Sequence, residues 1–218
     1  MEKEQDELRA AVYKGLSDAY RPPDKEIPEH IATLHDAVLE AYPDIRSDIQ
    51  SGREENKGSS DSSGTGTIGN LEGPDDLEKL KTDHARLFVG PFSLLAPPYG
   101  SMYLDQNEQL MTDSSMNALQ WYESEGMEVA VREVPDHIRI ELEFMFFLIM
   151  NGIESENGSR DIGRKKQRQF LEHHPGLWIA GFEKKVCNGA ETTLYNLLGQ
   201  LTGRFVLRDL EELRKQNY

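Results

Sequence analysis

Cysteine occurs once in this chain, at Cys187. A single thiol forms no intramolecular disulfide and supplies too few ligands for a cysteine-based zinc site. Long apolar runs are also missing. The densest, Phe144 to Met150, falls far short of the ~20 residues that cross a bilayer, so no membrane insertion is expected. The opening MEKEQDELRA lacks the apolar stretch of a secretory signal. These absences together point to a soluble, cytoplasmic protein. Basic residues are scarce: 24 Lys and Arg stand against 39 Asp and Glu, for a net charge of −15. That sign repels a phosphate backbone, which argues against nucleic acid as a partner, and it attracts a basic one.

Catalytic signatures are equally thin. No Gly-x-Ser-x-Gly elbow is present. Cys187 falls late in a helical pattern with no base or helix N-terminus to activate it. The GTGTIGN segment within 52–73 lacks the Gly-Lys-Ser/Thr ending of a phosphate loop and follows no strand. His137 and Glu141 stand one helical turn apart, but two ligands without a third make no zinc site. No enzyme, catalytic residue, metal or cofactor is expected.

What the chain does have is helical periodicity. Leu8, Val12, Leu16, Ala19 and Tyr20 mark one helix face, ended by Arg21-Pro22-Pro23. Ile31, Leu34, Val38 and Leu39 mark a second, and Ile45 and Ile49 a short third. Residues 52–73, rich in Gly, Ser, Thr and charge, read as a flexible insertion. Pro74 opens a helix through Leu77, Leu80, His84, Leu87 and Phe88. Thr112 or Asp113 can cap the next, with Met116, Leu119 and Tyr122 inward and Gly126 as its stop. Residues 127–134 suit an extended link.

The strongest pattern begins at Pro135-Asp136-His137, where Asp136 can cap a helix that is apolar almost all round from Ile138 to Met150 and therefore central. A basic helix follows at 159–173, with Ile162, Phe170 and Leu171 inward and Arg160, Arg164, Lys165, Lys166 and Arg168 on a solvated face. His173-His174 reads as a surface turn, and His30, His35 and His84 as surface or half-buried positions. Trp178, Ile179, Phe182 and Val186 mark a further helix. Two more, at 190–202 and 203–215, close the chain. The expected class is all-α, with about nine or ten helices in one domain. Its lobes fall at about 1–126 and 135–218, around a hinge at 127–134.

One stretch departs from this regularity. Between Asp83 and Asp105, DHARLFVGPFSLLAPPYGSMYLD ends a helix and crosses an unusually apolar loop. Connections usually run polar over the surface, so this one packs on the core or on a partner. Leu87-Phe88-x-Gly90-Pro91, Ala96-Pro97-Pro98-Tyr99-Gly100-Ser101-x-Tyr103-Leu104-Asp105 and Pro135-Asp136-His137-Ile138 with Glu141-Leu142-x-Phe144-Met145 together resemble the TorD/DmsD family. These are all-helical chaperones that mature exported molybdenum oxidoreductases. A looser match in Phe170, Trp178 and Phe182 extends the resemblance over about 83–205. His84 stands where the family often has an aromatic residue.

The resemblance implies binding of the twin-arginine leader of a molybdoenzyme precursor, and contact with its catalytic subunit. It implies a peptide-binding site at Leu87, Phe88, Pro97, Pro98, Tyr99, Gly100, Ser101, Pro135, Asp136 and His137. The two turns would form walls of one groove, with Leu87 read as a core anchor and Tyr99 as a groove residue. Asp136 either caps its helix or meets a leader arginine. The resemblance also leaves open guanine-nucleotide binding and a monomer or a domain-swapped homodimer. Two other readings remain beside it: an acidic helical adaptor for a respiratory enzyme subunit, without leader recognition, and a nucleotide hydrolase.

Overall fold

The computed structural model describes residues 2–49, 74–90, 93–105, 110–129, 133–154 and 159–216. The polar insertion at 52–73 and part of the expected hinge lie outside the described residues. The helices are α1 (Glu2–Ala19), α2 (Ile27–Ala41), a 3-10 turn (Pro43–Ile45), α3 (Pro74–His84) and a π turn (Ala85–Val89). They continue as α4 (Ser101–Leu104), α5 (Asp113–Ser124), α6 (Ile138–Glu154), α7 (Ser159–His173), α8 (Pro175–Gly189) and α9 (Thr193–Lys215). Among the described residues there is no strand, only an isolated antiparallel bridge between Tyr99 and His137. The class is all-α. No described helix is long and apolar enough to cross a membrane.

The core is built where the periodicity placed it. Val12, Leu16 and Ala19 of α1 pack along α6, whose Ile138, Ile140, Leu142, Phe144, Met145, Leu148 and Ile149 are all buried. Each such aliphatic or aromatic side chain withdrawn from water contributes about 1.5–3 kcal/mol. α8 lies along α9, and α7 bridges α6 to that pair. One continuous apolar cluster runs through both expected lobes.

Four expectations about the helices need correction. The two C-terminal helices are one, α9, 23 residues long. Gly199 and Gly203, inside it, face α8 at close range. A Cβ at Gly199 would stand 2.8 Å from Val186 Cγ1, and one at Gly203 would stand 2.9 Å from Glu183 Cβ. Met116 is 43% exposed. The inward face of α5 is turned by one position, because Ser115 Oγ donates to Asp136 Oδ1 at 2.7 Å. Ile162 is 59% exposed. Its neighbour Gly163 instead meets Gly152 of α6, where an added Cβ would touch the Gly152 Cα at 3.4 Å.

The basic face of α7, finally, is largely engaged within the chain. Arg164 Nη2 donates to Asp6 Oδ2 at 3.1 Å and Lys166 Nζ to Glu125 Oε2 at 2.8 Å, while Arg160 lies 3.8 Å from Glu2.

Candidate functional site

The apolar loop is fastened to the end of α3. The π turn places Leu87 and Phe88 inward, at 0% and 4% exposure. Such turns are rare in helices and concentrate at functional positions. Gly90 N donates to Ala85 O at 2.7 Å, a close approach in which an added Cβ would lie 3.0 Å from the same oxygen. Leu95 N and Ala96 N then donate to Arg86 O and Leu87 O at 3.3 and 3.1 Å. Phe88 sits edge-on to Tyr20, His84 and Tyr195. His84, expected at the surface or half-buried, is buried in this aromatic cluster, and that burial lowers its pKa.

Beyond Ala96 the chain turns through Pro97 and Pro98, both buried, and meets the Pro135–His137 turn directly. Gly100 N donates to Asp136 O at 2.9 Å, and Ile138 N to Pro98 O at 2.8 Å. The Asp136 side chain takes Ser101 N at 2.6 Å on Oδ2 and Ser115 Oγ on Oδ1. It is 1% exposed. Asp136 therefore caps α4 rather than its own helix. Tyr122 OH donates to Pro135 O at 2.8 Å and braces the turn from α5.

The cap of α6 is His137. Its Nδ1 accepts from Arg139 N at 3.0 Å, which fixes an unprotonated Nδ1. Burial, reinforced by the Arg139 charge, lowers its pKa to about 4. The Tyr99 ring stands edge-on to the His137 ring at 5.1 Å, and both side chains keep partial exposure. Burial, with Asp136 nearby, raises the Tyr99 pKa. The turns expected as two walls are thus joined into one surface, with Tyr99 and His137 at its open side. Leu87, Phe88, Pro97, Pro98, Gly100, Ser101, Pro135 and Asp136 lie beneath.

Under that surface is a polar layer the sequence reading did not find. Glu141, 1% exposed, accepts from Trp178 Nε1 at 3.0 Å. His174 is 3% exposed, not a surface residue, and its ring stacks on Phe170 at 4.7 Å. Its Nδ1 is 3.7 Å from Glu141 Oε1, too long for a hydrogen bond. Burial raises the Glu141 pKa well above the usual carboxyl range and lowers that of His174 to about 4. Both shifts favour the uncharged forms. The signal available in the sequence was the i, i+4 spacing of His174 and Trp178 on one helix turn.

Asp83, also unremarked in the sequence, accepts from Thr192 N at 2.8 Å, Thr192 Oγ1 at 2.7 Å and Glu191 N at 3.0 Å. It satisfies the start of α9 from across the fold and locks α3 in place. Among the described residues no group of three His, Cys, Asp or Glu could hold a metal ion. The Cys187 thiol is pushed up to about 11 by burial and is a weak nucleophile there.

The chain is 32% identical to the Tat proofreading chaperone DmsD of Salmonella paratyphi A over 126 residues, 57% of each chain. It therefore spans a little over half the length of the DmsD relatives it matches. It is 25% identical to the chaperone protein TorD of Vibrio cholerae across 97% of this chain and 96% of that one. A crystal structure described as a redox enzyme maturation protein of Archaeoglobus fulgidus superposes with a TM-score of 0.46 at 20% identity, covering 95% and 93% of the two chains. The likeness to TorD and DmsD read from the sequence is upheld. The nitrate reductase delta subunit model matches residues 25–184, well over half of the sequence, and the chain belongs to that family.

Proposed function

We propose that this protein is a cytoplasmic, non-catalytic chaperone for a molybdopterin oxidoreductase precursor. It holds the precursor by its twin-arginine leader, with the catalytic subunit as a further contact, until cofactor insertion is complete. The observation that carries this reading is the union of the Pro97–Ser101 and Pro135–His137 turns, with Tyr99 and His137 at the open side. The names of the DmsD and TorD relatives support it. Tyr99 and His137 are the direct contacts. Leu87, Phe88, Pro97, Pro98, Gly100, Ser101, Pro135 and Asp136 hold the turns in register. The acidic chain, at −15, steers a basic leader toward the surface.

The family description, nitrate reductase delta subunit, favours a second reading: an assembly factor for a respiratory enzyme subunit that ignores the leader. Calorimetric titration separates the two. A synthetic leader should bind, and its Lys-Lys and Gln-Gln versions should bind progressively more weakly. Equal affinity for all three removes arginine recognition and leaves the assembly-factor reading.

A further inference from the structure

The tautomer of His137 limits what the open side of the joined turns can bind. Its Nδ1 accepts from Arg139 N at 3.0 Å. Burial, with the Arg139 charge, holds the pKa at about 4, so near neutral pH the ring carries one proton. With Nδ1 in use as an acceptor, that proton sits on Nε2. The ring stays partly exposed, and among the described residues no group accepts from Nε2. His137 therefore presents a hydrogen-bond donor outward. It can accept nothing at Nε2 without giving up its cap on α6.

The surroundings offer no carboxylate in its place. Asp136 is 1% exposed, and its two oxygens are taken by Ser101 N and Ser115 Oγ. Glu133 pairs with Arg139, and Glu143 lies 3.7 Å from the same guanidinium. Tyr99 stands edge-on to His137, with ring centroids 5.1 Å apart, and burial with Asp136 nearby keeps its hydroxyl protonated. Two adjoining rings thus carry an uncharged N–H and an uncharged O–H. A guanidinium has five N–H donors and no acceptor, so it does not complement Nε2–H. A carboxylate does, but the net charge of −15 opposes it. A peptide carbonyl oxygen is an acceptor without charge and meets both conditions.

We infer that His137, through Nε2–H, binds a main-chain carbonyl oxygen of the leader and not an arginine side chain. The inference rests on the leader-binding reading above and assigns one of its contacts a chemistry. At His137 the site reads the course of the leader's backbone. Selection for arginine is made elsewhere on the surface.

The test uses the full chain and a synthetic peptide of two adjacent arginines followed by about 12 Leu and Ala residues, the span of a leader's apolar region. His137→Asn keeps an oxygen for Arg139 N and removes the outward N–H. It should bind this peptide about three- to tenfold more weakly than wild type, the worth of one uncharged hydrogen bond. A series of the same peptide carries an ester in place of one backbone amide at a time, which weakens that carbonyl as an acceptor. At one position the ester should lower affinity for wild type and cost nothing further with His137→Asn. Replacing both arginines by lysines should cost the same factor with either protein. Imidazole nitrogen and proton NMR spectra of wild type need no variant. The proton should be found on Nε2, and its resonance should move downfield when the peptide is added. Equal affinity of wild type and His137→Asn, ester losses that never depend on His137, a lysine penalty that disappears in His137→Asn, or a proton on Nδ1 each overturns the carbonyl assignment and leaves leader binding standing. No binding of the intact peptide to wild type overturns both. If circular dichroism shows His137→Asn to be unfolded, the NMR shift decides: its presence supports the assignment and its absence overturns it.

Discussion

Trp178 Nε1 donates to Glu141 Oε2 at 3.0 Å directly beneath Gly100, where an added Cβ would stand 2.9 Å from that same nitrogen. The indole is the floor on which the Pro97–Ser101 turn rests, and Glu141 fixes the orientation of the floor. Tyr103, stacked on the indole at 5.3 Å, extends it under α4. The candidate site is therefore held from below by a buried carboxyl group on α6 and a tryptophan on α8.

That carboxyl group makes a prediction with a defined sign. Burial raises the Glu141 pKa above its ordinary 4.5, so its contribution to stability is fully present below that value and is lost as pH rises through the folded value. Glu141→Gln keeps an acceptor for Trp178 and removes the titration. Thermal melts should show Glu141→Gln above wild type at pH 7–8, with the gap closing below pH ~4. Glu141→Leu leaves the indole N–H without an acceptor and should lie about 1–3 kcal/mol below Glu141→Gln at every pH.

The buried imidazoles act in the opposite direction. His137 and His174 have folded values of about 4 against an ordinary 6.5. The unfolded chain therefore takes up protons first, and stability present above pH 6.5 is lost as pH falls from 6.5 toward 4. Protonated His137 also loses its Nδ1 acceptor for Arg139 N. His137→Asn retains a capping oxygen, and His174→Phe retains the stacking on Phe170. Denaturant midpoints of the double variant should fall less steeply than those of wild type across pH 6.5–4.

The division between what was legible in the sequence and what was not follows from periodicity. α1, α2 and α6 bury broad apolar faces, and these are written directly in the spacing of Val12 and Leu16 or Leu142 and Met145. The meeting of the two turns was foreseen through the family motif and not through any local pattern. Polar side chains at work inside the fold were not legible. Ser115 turns α5, Asp83 caps α9, and Glu141 and His174 sit under the site. Their partners lie far along the chain, and short-range spacing marks at most the His174–Trp178 turn, not the carboxyl group it meets. At Gly199 and Gly203 the fold uses the small size of glycine, to bring α9 close to α8.

A buried ion pair joins the first helix to the last. Arg9 Nε and Nη2 donate to Asp209 at 2.5 and 2.9 Å, and Arg9 also reaches Asp6 and Gln167. Tyr13 and Tyr42 donate to the same Asp209 at 2.8 and 2.5 Å. Against its burial, Arg9 and the two hydroxyls hold the Asp209 pKa low. Arg9→Met leaves Asp209 charged and uncompensated and should cost about 3–5 kcal/mol. Arg9→Met combined with Asp209→Leu should cost less than Arg9→Met alone, because the second change removes the stranded charge. Urea unfolding of the three proteins measures both values.

The α8–α9 seam sets a limit on substitution that helix propensity alone would reverse. Alanine is favoured over glycine inside a helix by about 1 kcal/mol, so Gly199→Ala and Gly203→Ala would stabilise an isolated α9. In the fold, the new methyl at Gly199 meets the branched Val186, whose Cβ itself stands 3.0 Å away, while at Gly203 it meets Glu183. Glu183 is a longer side chain, but Arg204 Nε holds its Oε1 at 2.9 Å, so swinging clear breaks that bond. Overpacking of this kind costs about 1–3 kcal/mol, enough to outweigh the gain in propensity. Both alanine variants should therefore melt below wild type. Glu183→Ala should recover part of the loss in Gly203→Ala, because it removes the carboxyl group at 2.7 Å but keeps the Cβ at 2.9 Å, and should leave Gly199→Ala unchanged, because Val186 is untouched. Rescue of both would place the strain in the helix backbone and not in the seam.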